Sequence, residues 1–128
     1  MMDGKGDAHM KNGFLILAVA LVSAQAAPAG MKTDVEFARP GGFSLTLDAW
    51  TPEGKGPFPT VIIVHGGGFS RGDKQTYVKP LFPVLSEAGF VWFTINYRLA
   101  PQYHFPAPVE DVEAAVRWVK EQANTRWT

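Results

Sequence analysis

Apolar and polar residues alternate in two neighbouring segments near the start of the chain. TDVEFA, at 33–38, alternates, and FSLTLDAW, at 43–50, alternates again. The apolar positions of the second segment share one face: Phe43, Leu45, Leu47 and Ala49. Such alternation is typical of strands with one buried face. Because RPGG, at 39–42, supplies two glycines able to take positive φ, the sequence predicts a β-hairpin.

Two later segments are continuously apolar instead. TVIIV, at 60–64, and FVWFTI, at 90–95, show no alternation. Runs of this kind are typical of strands covered on both faces, as in a parallel sheet. The Pro/Gly-rich segment 51–59 precedes the first run and is predicted to be a loop.

Helical spacing follows each apolar run. The segment 77–89 repeats apolar residues at helical intervals, namely Val78, Leu81, Phe82 and Leu85. Gly89 then predicts a C-terminal cap. The segment 107–123 begins with Pro108, which suits a first helical position, and carries a valine stripe: Val109, Val112, Val116 and Val119. Both segments are therefore predicted to be helices.

The predicted order is a hairpin followed by strand, helix, strand and helix. Alternating strands and helices favour an α/β fold, in which an antiparallel hairpin leads into a parallel βαβα sheet with right-handed crossovers. After the last helix the pattern requires another strand, but the chain stops at Thr128. We therefore expect a fold that is incomplete at its C-terminus.

The N-terminus predicts a secretory signal peptide. Lys11 precedes nine apolar residues, at 14–22, and the small-x-small site Ala24-Gln25-Ala26 follows. As a helix, nine residues span only about 14 Å, which is too short for a bilayer. We expect a leader and signal peptide at 1–26, one domain at 27–128, and a secreted or periplasmic protein with no membrane attachment after cleavage. A buried N-terminal helix is the alternative.

Composition and charge narrow the classes of function. The chain has 128 residues, is 46% hydrophobic and has a formal net charge of zero, which is ordinary for a globular protein. This neutral balance gives no electrostatic reason to expect a nucleic-acid or anionic-membrane partner. The absence of cysteine excludes disulfides, cysteine nucleophiles and thiolate metal sites, and the histidines lack metal-ligand spacing. No metal or cofactor is expected.

Two catalytic patterns overlap after the first apolar run. GFSRG, at 68–72, fits the G-x-S-x-G pattern of a serine nucleophile, and HGGG, at 65–68, fits an oxyanion loop. A nucleophile elbow needs a strand that ends beside the serine and a helix directly after it. Here the strand is predicted to end at Val64, and polar residues follow Ser70. No histidine lies beyond His104 to act as the base.

The oxyanion loop fits this context better. Three glycines directly after a buried strand let successive N–H groups point into one cavity. Two alternatives stay open. The glycines could serve only to turn the chain out of the strand, and Ser70 could act in a different catalytic arrangement.

Four motifs then resemble the α/β-hydrolase superfamily. HGGGF with GD, NYRLAP, FPAPVED and AAVRWV occur in family order over about 35–119. They are similar to the hormone-sensitive-lipase-like and small secreted carboxylesterase branches. The resemblance implies a serine-dependent hydrolase of small acyl esters, such as acetyl or feruloyl esters of polysaccharides. The nucleophile, acid and base are then expected beyond Thr128, and this chain alone is expected to be inactive.

The resemblance also implies roles for single residues of the loop. Gly67 and Gly68 match the glycines whose N–H groups hold the oxyanion, with Gly66 as a third candidate. His65 and Asp73 are expected to support the loop. For His65, a buried structural histidine is an equal alternative.

Outside the loop, the resemblance implies a structural block. Arg98 is expected to bridge to Glu110 or Asp111 at the start of the last helix, where a carboxylate also suits the positive helix end. Asp111 is not expected to be the catalytic acid. The expected partner is a small-molecule ester, and the oligomeric state stays open. The alternative function is a truncated, non-catalytic secreted binding module that keeps half of the hydrolase fold.

Overall fold

The structure is a computed structural model that describes residues 29–122. The predicted signal peptide lies outside this range. The elements in chain order are strand β1 (Gly30–Ala38), a 3-10 turn (Pro40–Gly42), strands β2 (Leu45–Thr51) and β3 (Thr60–Val64), helix α1 (Leu81–Glu87), strand β4 (Val91–Ile95) and helix α2 (Ala107–Gln122).

The described strands form one four-stranded mixed sheet in the order β1-β2-β4-β3. Strands β1 and β2 form the predicted antiparallel hairpin, and β2 also pairs antiparallel with β4. Strands β3 and β4 are parallel, with Ile62 opposite Phe93. At the hairpin turn, Gly41 and Gly42 have φ values of 55° and 84°. The sheet confirms the predicted α/β class of hairpin and βαβα unit.

The two helices cover opposite faces of the sheet. On one face, Phe93 of β4 belongs to a buried cluster with Ala115 and Val119 of α2 and with residues of β2. On the other face, Trp92 stacks on Phe82 of α1, with ring centroids 4.3 Å apart. Every residue of β4 is buried, because this strand has a neighbour on each side and a helix against each face.

Strand β3 differs from its prediction as a strand covered on both faces. It lies at an edge of the described sheet, and Ile63 is its only buried residue, while Val64 is 46% exposed. A continuous apolar run indicates apolar surroundings but cannot distinguish an edge strand from a central one.

Helix α1 is shorter than predicted. It begins at Leu81 rather than near Tyr77, and turns occupy 74–80. Pro80 explains the late start, because a proline disfavours helical geometry at the preceding residue, Lys79. Gly89 follows the helix with a φ of 79°, as the predicted cap requires.

Two predicted apolar faces are shifted in the structure. In α2 the buried residues are Pro108, Asp111, Ala115 and Val119, so Val119 alone of the predicted valine stripe is buried, and Val109 is 45% exposed. Asp111 faces inward because it meets Arg98, whose side chain is only 12% exposed. Phe43 lies before β2 rather than in its buried row, and its ring packs edge-on against Tyr103.

Candidate functional site

The segment from His65 to Asp73, named here the glycine loop, follows the carboxyl end of β3. Gly67 has a φ of 130°, and Gly68 has a φ of 63°. At Gly67, a Cβ atom would lie 2.0 Å from the carbonyl oxygen of Arg71, so no larger residue fits without moving the backbone. The sequence predicted a turn here, and position 67 requires glycine because no Cβ fits a φ of 130° and this close contact.

The glycine loop presents a free backbone donor. Within residues 29–122, Gly68 makes no hydrogen bond, so its N–H is available to a ligand. The carbonyl oxygen of Gly67 instead accepts from the backbone N–H of Ser70 at 3.3 Å. Gly66 is exposed, and its carbonyl oxygen lies 2.7 Å from Nδ1 of His65. The use of these glycines as oxyanion donors stays a prediction.

His65 lies buried beneath the loop. Its side chain is 3% exposed, and Nδ1 donates to the carbonyl of Gly66. The imidazole stacks on Tyr97 with centroids 4.4 Å apart, and the Tyr97 hydroxyl donates to the His65 carbonyl at 2.8 Å. A Cβ at Gly72 would come within 2.7 Å of Nδ1. His65 is therefore a buried histidine that also supports the glycine loop, through its hydrogen bond to the carbonyl of Gly66.

Asp73 ends the glycine loop. Its Oδ1 accepts from the N–H of Gln75 at 2.8 Å and from the N–H and hydroxyl of Thr76 at 2.8 and 2.9 Å. The hydrogen bond from Gln75, followed by those from Thr76, lowers the pKa of this carboxyl. The carboxylate thereby orders the turns that lead into α1.

Lys74, which the sequence analysis did not select, connects the loop to the hairpin. Its Nζ lies 2.7 Å from Oδ1 of the fully buried Asp48 and 2.8 Å from Oδ1 of Asp34. Burial alone would lower the pKa of Lys74, but hydrogen bonds to the two carboxylates outweigh it, so the pKa is raised. Its backbone N–H donates to Oδ1 of Asn96 at 2.7 Å. No sequence signal marked Asp48, because alternation places it on the polar face of its strand.

Arg98 lies against the first turn of α2. Its Nε and Nη2 lie 2.9 and 2.7 Å from the two carboxylate oxygens of Asp111, and its backbone N–H donates to the same carboxylate at 2.8 Å. Glu110 is 3.5 Å away, with a side chain that is 60% exposed. Hydrogen bonds to Asp111 raise the pKa of Arg98. The contact joins the segment after β4 to α2.

Ser70 is exposed on the loop. Its hydroxyl donates to the carbonyl of Gly67 at 3.3 Å, and in the described part of the chain it bonds to neither a histidine nor a carboxylate. Among residues 29–122, the Ser70 side chain therefore has no partner that could act as the general base of a serine nucleophile.

Three cavities adjoin the glycine loop. Two are apolar, with volumes of about 180 and 200 Å³, and both are lined by Phe69, Pro108 and Val109. The third, of about 320 Å³, is lined by polar and aromatic side chains that include Asp73, Asn96, Tyr97 and Tyr103. None of the helices within 29–122 has the length and apolar character needed to cross a bilayer.

A comparison with protein families places this site in context. The BD-FAE family model matches residues 47–126, which is more than half of the chain. This chain belongs to the BD-FAE family. The matched range includes the glycine loop, Lys74, Arg98 and Asp111, and the assignment confirms the resemblance to α/β-hydrolases of the hormone-sensitive-lipase-like branch.

The relatives of this BD-FAE chain are ester hydrolases. It is 35% identical over 92 residues to the carboxylic ester hydrolase LipN of Mycobacterium tuberculosis, covering 72% of this chain and 24% of LipN. It is 28% identical over 107 residues to ethyl acetate hydrolase of Pseudomonas putida, covering 81% of this chain and 34% of the relative.

A solved structure similar to this chain is also that of an ester hydrolase. EstE1, a thermostable carboxylesterase cloned from a metagenomic library, matches with 34% identity and a TM-score of 0.66, over 77% of this chain and 33% of EstE1. The chain therefore spans about a quarter to a third of the length of these relatives.

Proposed function

We propose that this chain contributes the oxyanion loop of a serine-dependent carboxylic ester hydrolase. The observation that carries the proposal is the free N–H of Gly68 beside Gly67, whose backbone conformation admits no side chain. The loop also follows the carboxyl end of a parallel strand, which is where open α/β sheets bind their ligands.

In the proposed reaction, a serine attacks the ester carbonyl, and the carbonyl oxygen becomes an oxyanion. The N–H groups of Gly67 and Gly68 donate to that oxygen, and each such donor typically contributes about 3–4 kcal/mol to the transition state. The tetrahedral intermediate then collapses, which breaks the ester C–O bond, releases the alcohol and leaves an acyl-enzyme. Water hydrolyses this acyl-enzyme to the carboxylic acid and the free serine. His65, Tyr97 and Asp73 hold the loop through the hydrogen bonds described above.

The nucleophile, the acid and the base are proposed to lie in sequence beyond Thr128. The greater length of the relatives supports this division, because the matched segment is only 24% of LipN and 34% of ethyl acetate hydrolase. The isolated chain should then be inactive, since an oxyanion loop without its serine and base gives little turnover.

Small acyl esters are the proposed substrates. The name of the relative from Pseudomonas putida, ethyl acetate hydrolase, refers to an ester with a two-carbon acyl group. The two apolar cavities beside the loop, of about 180 and 200 Å³, are also small. Acetyl esters of polysaccharides fit this class and a secreted location, whereas feruloyl esters carry a larger, aromatic acyl group and are the alternative that these small cavities favour less. Signal-peptide cleavage after Ala26 would leave Ala27 as the first residue in an N-terminal sequencing experiment.

Active-site labelling tests the proposal directly. The complete gene product should hydrolyse p-nitrophenyl acetate and react once with a fluorophosphonate, on a serine beyond Thr128 identified by mass spectrometry. A Ser70→Ala variant should keep both properties. Labelling of Ser70, or turnover by the purified 128-residue chain above background, would contradict the assignment.

A further inference from the structure

Phe69 stands between the two apolar cavities beside the glycine loop. The cavity of about 180 Å³ is completed by Ala100, Tyr103, His104 and Phe105. The cavity of about 200 Å³ is completed by Val64, Tyr97, Val112 and Glu113. Both share Phe69 and the first turn of α2, at Pro108 and Val109. The Phe69 side chain is thus a common wall of two neighbouring spaces.

The position of this ring is fixed by its backbone. Phe69 has a φ of 60°, a left-handed conformation that costs a non-glycine residue about 1–2 kcal/mol. Its carbonyl accepts from the N–H of Ala100 at 2.8 Å, and its ring meets Tyr97 edge-on at 6.3 Å. The side chain nevertheless remains 62% exposed. An uncommon conformation that holds an exposed aromatic ring between apolar cavities indicates a role in contacting a ligand.

We propose that Phe69 is a specificity-determining residue that limits the length of the acyl chain. Phe69 directly follows Gly68, the proposed oxyanion donor, and lines both apolar cavities, so an acyl chain leaving the carbonyl carbon would extend toward the space that this ring divides. This inference rests on the proposed esterase function and deepens it. Each cavity alone is smaller than the roughly 300–1,000 Å³ typical of pockets for larger ligands, whereas the two together reach that range.

The physical consequence is a preference for short acyl groups. With the ring in place, a chain that fills one cavity meets the ring instead of continuing into the other. If the ring is removed, the cavities join, and additional methylenes become buried. Each methylene that gains burial strengthens transition-state binding by about fourfold.

The test is an acyl-length series on the complete gene product, with p-nitrophenyl esters from acetate to decanoate. For Phe69→Ala, we expect the octanoate-to-butyrate ratio of kcat/KM to rise at least about tenfold. Phe69→Trp should lower this ratio. Phe69→Leu should raise this ratio by less than Phe69→Ala does. If Phe69→Ala does not fold, the opposite changes expected for Phe69→Trp and Phe69→Leu still test the proposal.

Tyr77→Ala is the matched control. Tyr77 also has a left-handed conformation, with a φ of 65°, and is 70% exposed, but it lines neither cavity. Its replacement should leave the length profile unchanged. If the wild type is active and every Phe69 variant has the same length profile as the wild type, the inference about Phe69 is overturned but the proposed esterase function is not. A wild type that hydrolyses no ester in the series overturns the proposed function, and the inference with it.

Discussion

The ammonium nitrogen of Lys74 lies 2.7 Å from Oδ1 of Asp48, whose side chain is completely buried in strand β2. The pair joins the end of the glycine loop to the hairpin, 26 residues away in sequence. Thr94 and Asn96 hold the backbone of Lys74 from the β4 side. The end of the loop is therefore fixed to β2 and to the carboxyl end of β4, and the sequence motifs predicted neither contact.

Lys74→Met should destabilise the protein strongly. The substitution keeps the volume of the side chain but leaves the Asp48 carboxylate buried without its cation, which typically costs about 3–5 kcal/mol. Chemical denaturation of the complete gene product measures the free energy of unfolding. Arg117→Ala is the control, because its pair with Glu113 spans 3.8 Å with side chains 66% and 63% exposed, and such pairs contribute about 0–1 kcal/mol. An equal decrease in the free energy of unfolding in the two variants would show that the buried Lys74–Asp48 pair stabilises the protein no more than an exposed pair does.

The local pattern of the sequence predicted the sheet and the helices because hydrophobic periodicity directly reflects which face of an element is buried. It failed where a polar side chain takes an apolar position. Asp111 lies on the buried face of α2 because Arg98 compensates its charge, and Asp48 is buried because Lys74 does the same. Such pairs join residues distant in sequence, so only the folded chain reveals them.

In the glycine loop, too, the local sequence predicted some features and only the folded chain reveals others. Its turn was predictable, since glycines after an apolar strand are a local signal. The contacts that support the loop were less predictable. The stacking of His65 on Tyr97 and the hydrogen bond from Ala100 to Phe69 depend on how the end of β3 packs against the segment after β4. The ordered position of Phe69 between two cavities is likewise a property of three segments and not of one motif.

Asp111→Ala should cost far more stability than Glu110→Ala. Arg98 has a side chain only 12% exposed, and loss of Asp111 removes the carboxylate that binds its guanidinium and backbone N–H, at a cost of about 3–5 kcal/mol. Glu110 is a neighbour in the same helical turn, but it is mostly exposed and 3.5 Å away, so its loss should cost under about 1 kcal/mol. Thermal or urea unfolding of both variants provides the comparison. A larger loss in Glu110→Ala would contradict this account of the block.

Gly67→Ala and Gly68→Ala should separate steric clash from backbone strain. Both residues have positive φ, but only at Gly67 would the new Cβ meet backbone, 2.0 Å from the Arg71 carbonyl oxygen, whereas nothing lies within 4 Å at Gly68. Gly68→Ala should therefore cost about 1–2 kcal/mol from strain alone. Gly67→Ala should displace the loop and lower kcat/KM of the complete gene product by about a hundredfold or more, as for loss of one oxyanion donor. Similar kinetics for the two variants would show that the close contact does not position the loop.

Acid should weaken the turn that Asp73 orders. Hydrogen bonds from Gln75 and Thr76 lower the pKa of this carboxyl in the folded state. The ionised group therefore contributes stability above its unfolded pKa of about 3.9, and this contribution is lost as the pH falls through the lower folded pKa. Asp73→Asn keeps an oxygen acceptor but cannot titrate. Between about pH 5 and pH 2, the free energy of unfolding should fall further in the wild type than in the variant, while above about pH 5 their difference should be constant. Urea denaturation across this range measures both curves, and parallel curves throughout would mean that the Asp73 charge does not stabilise the loop.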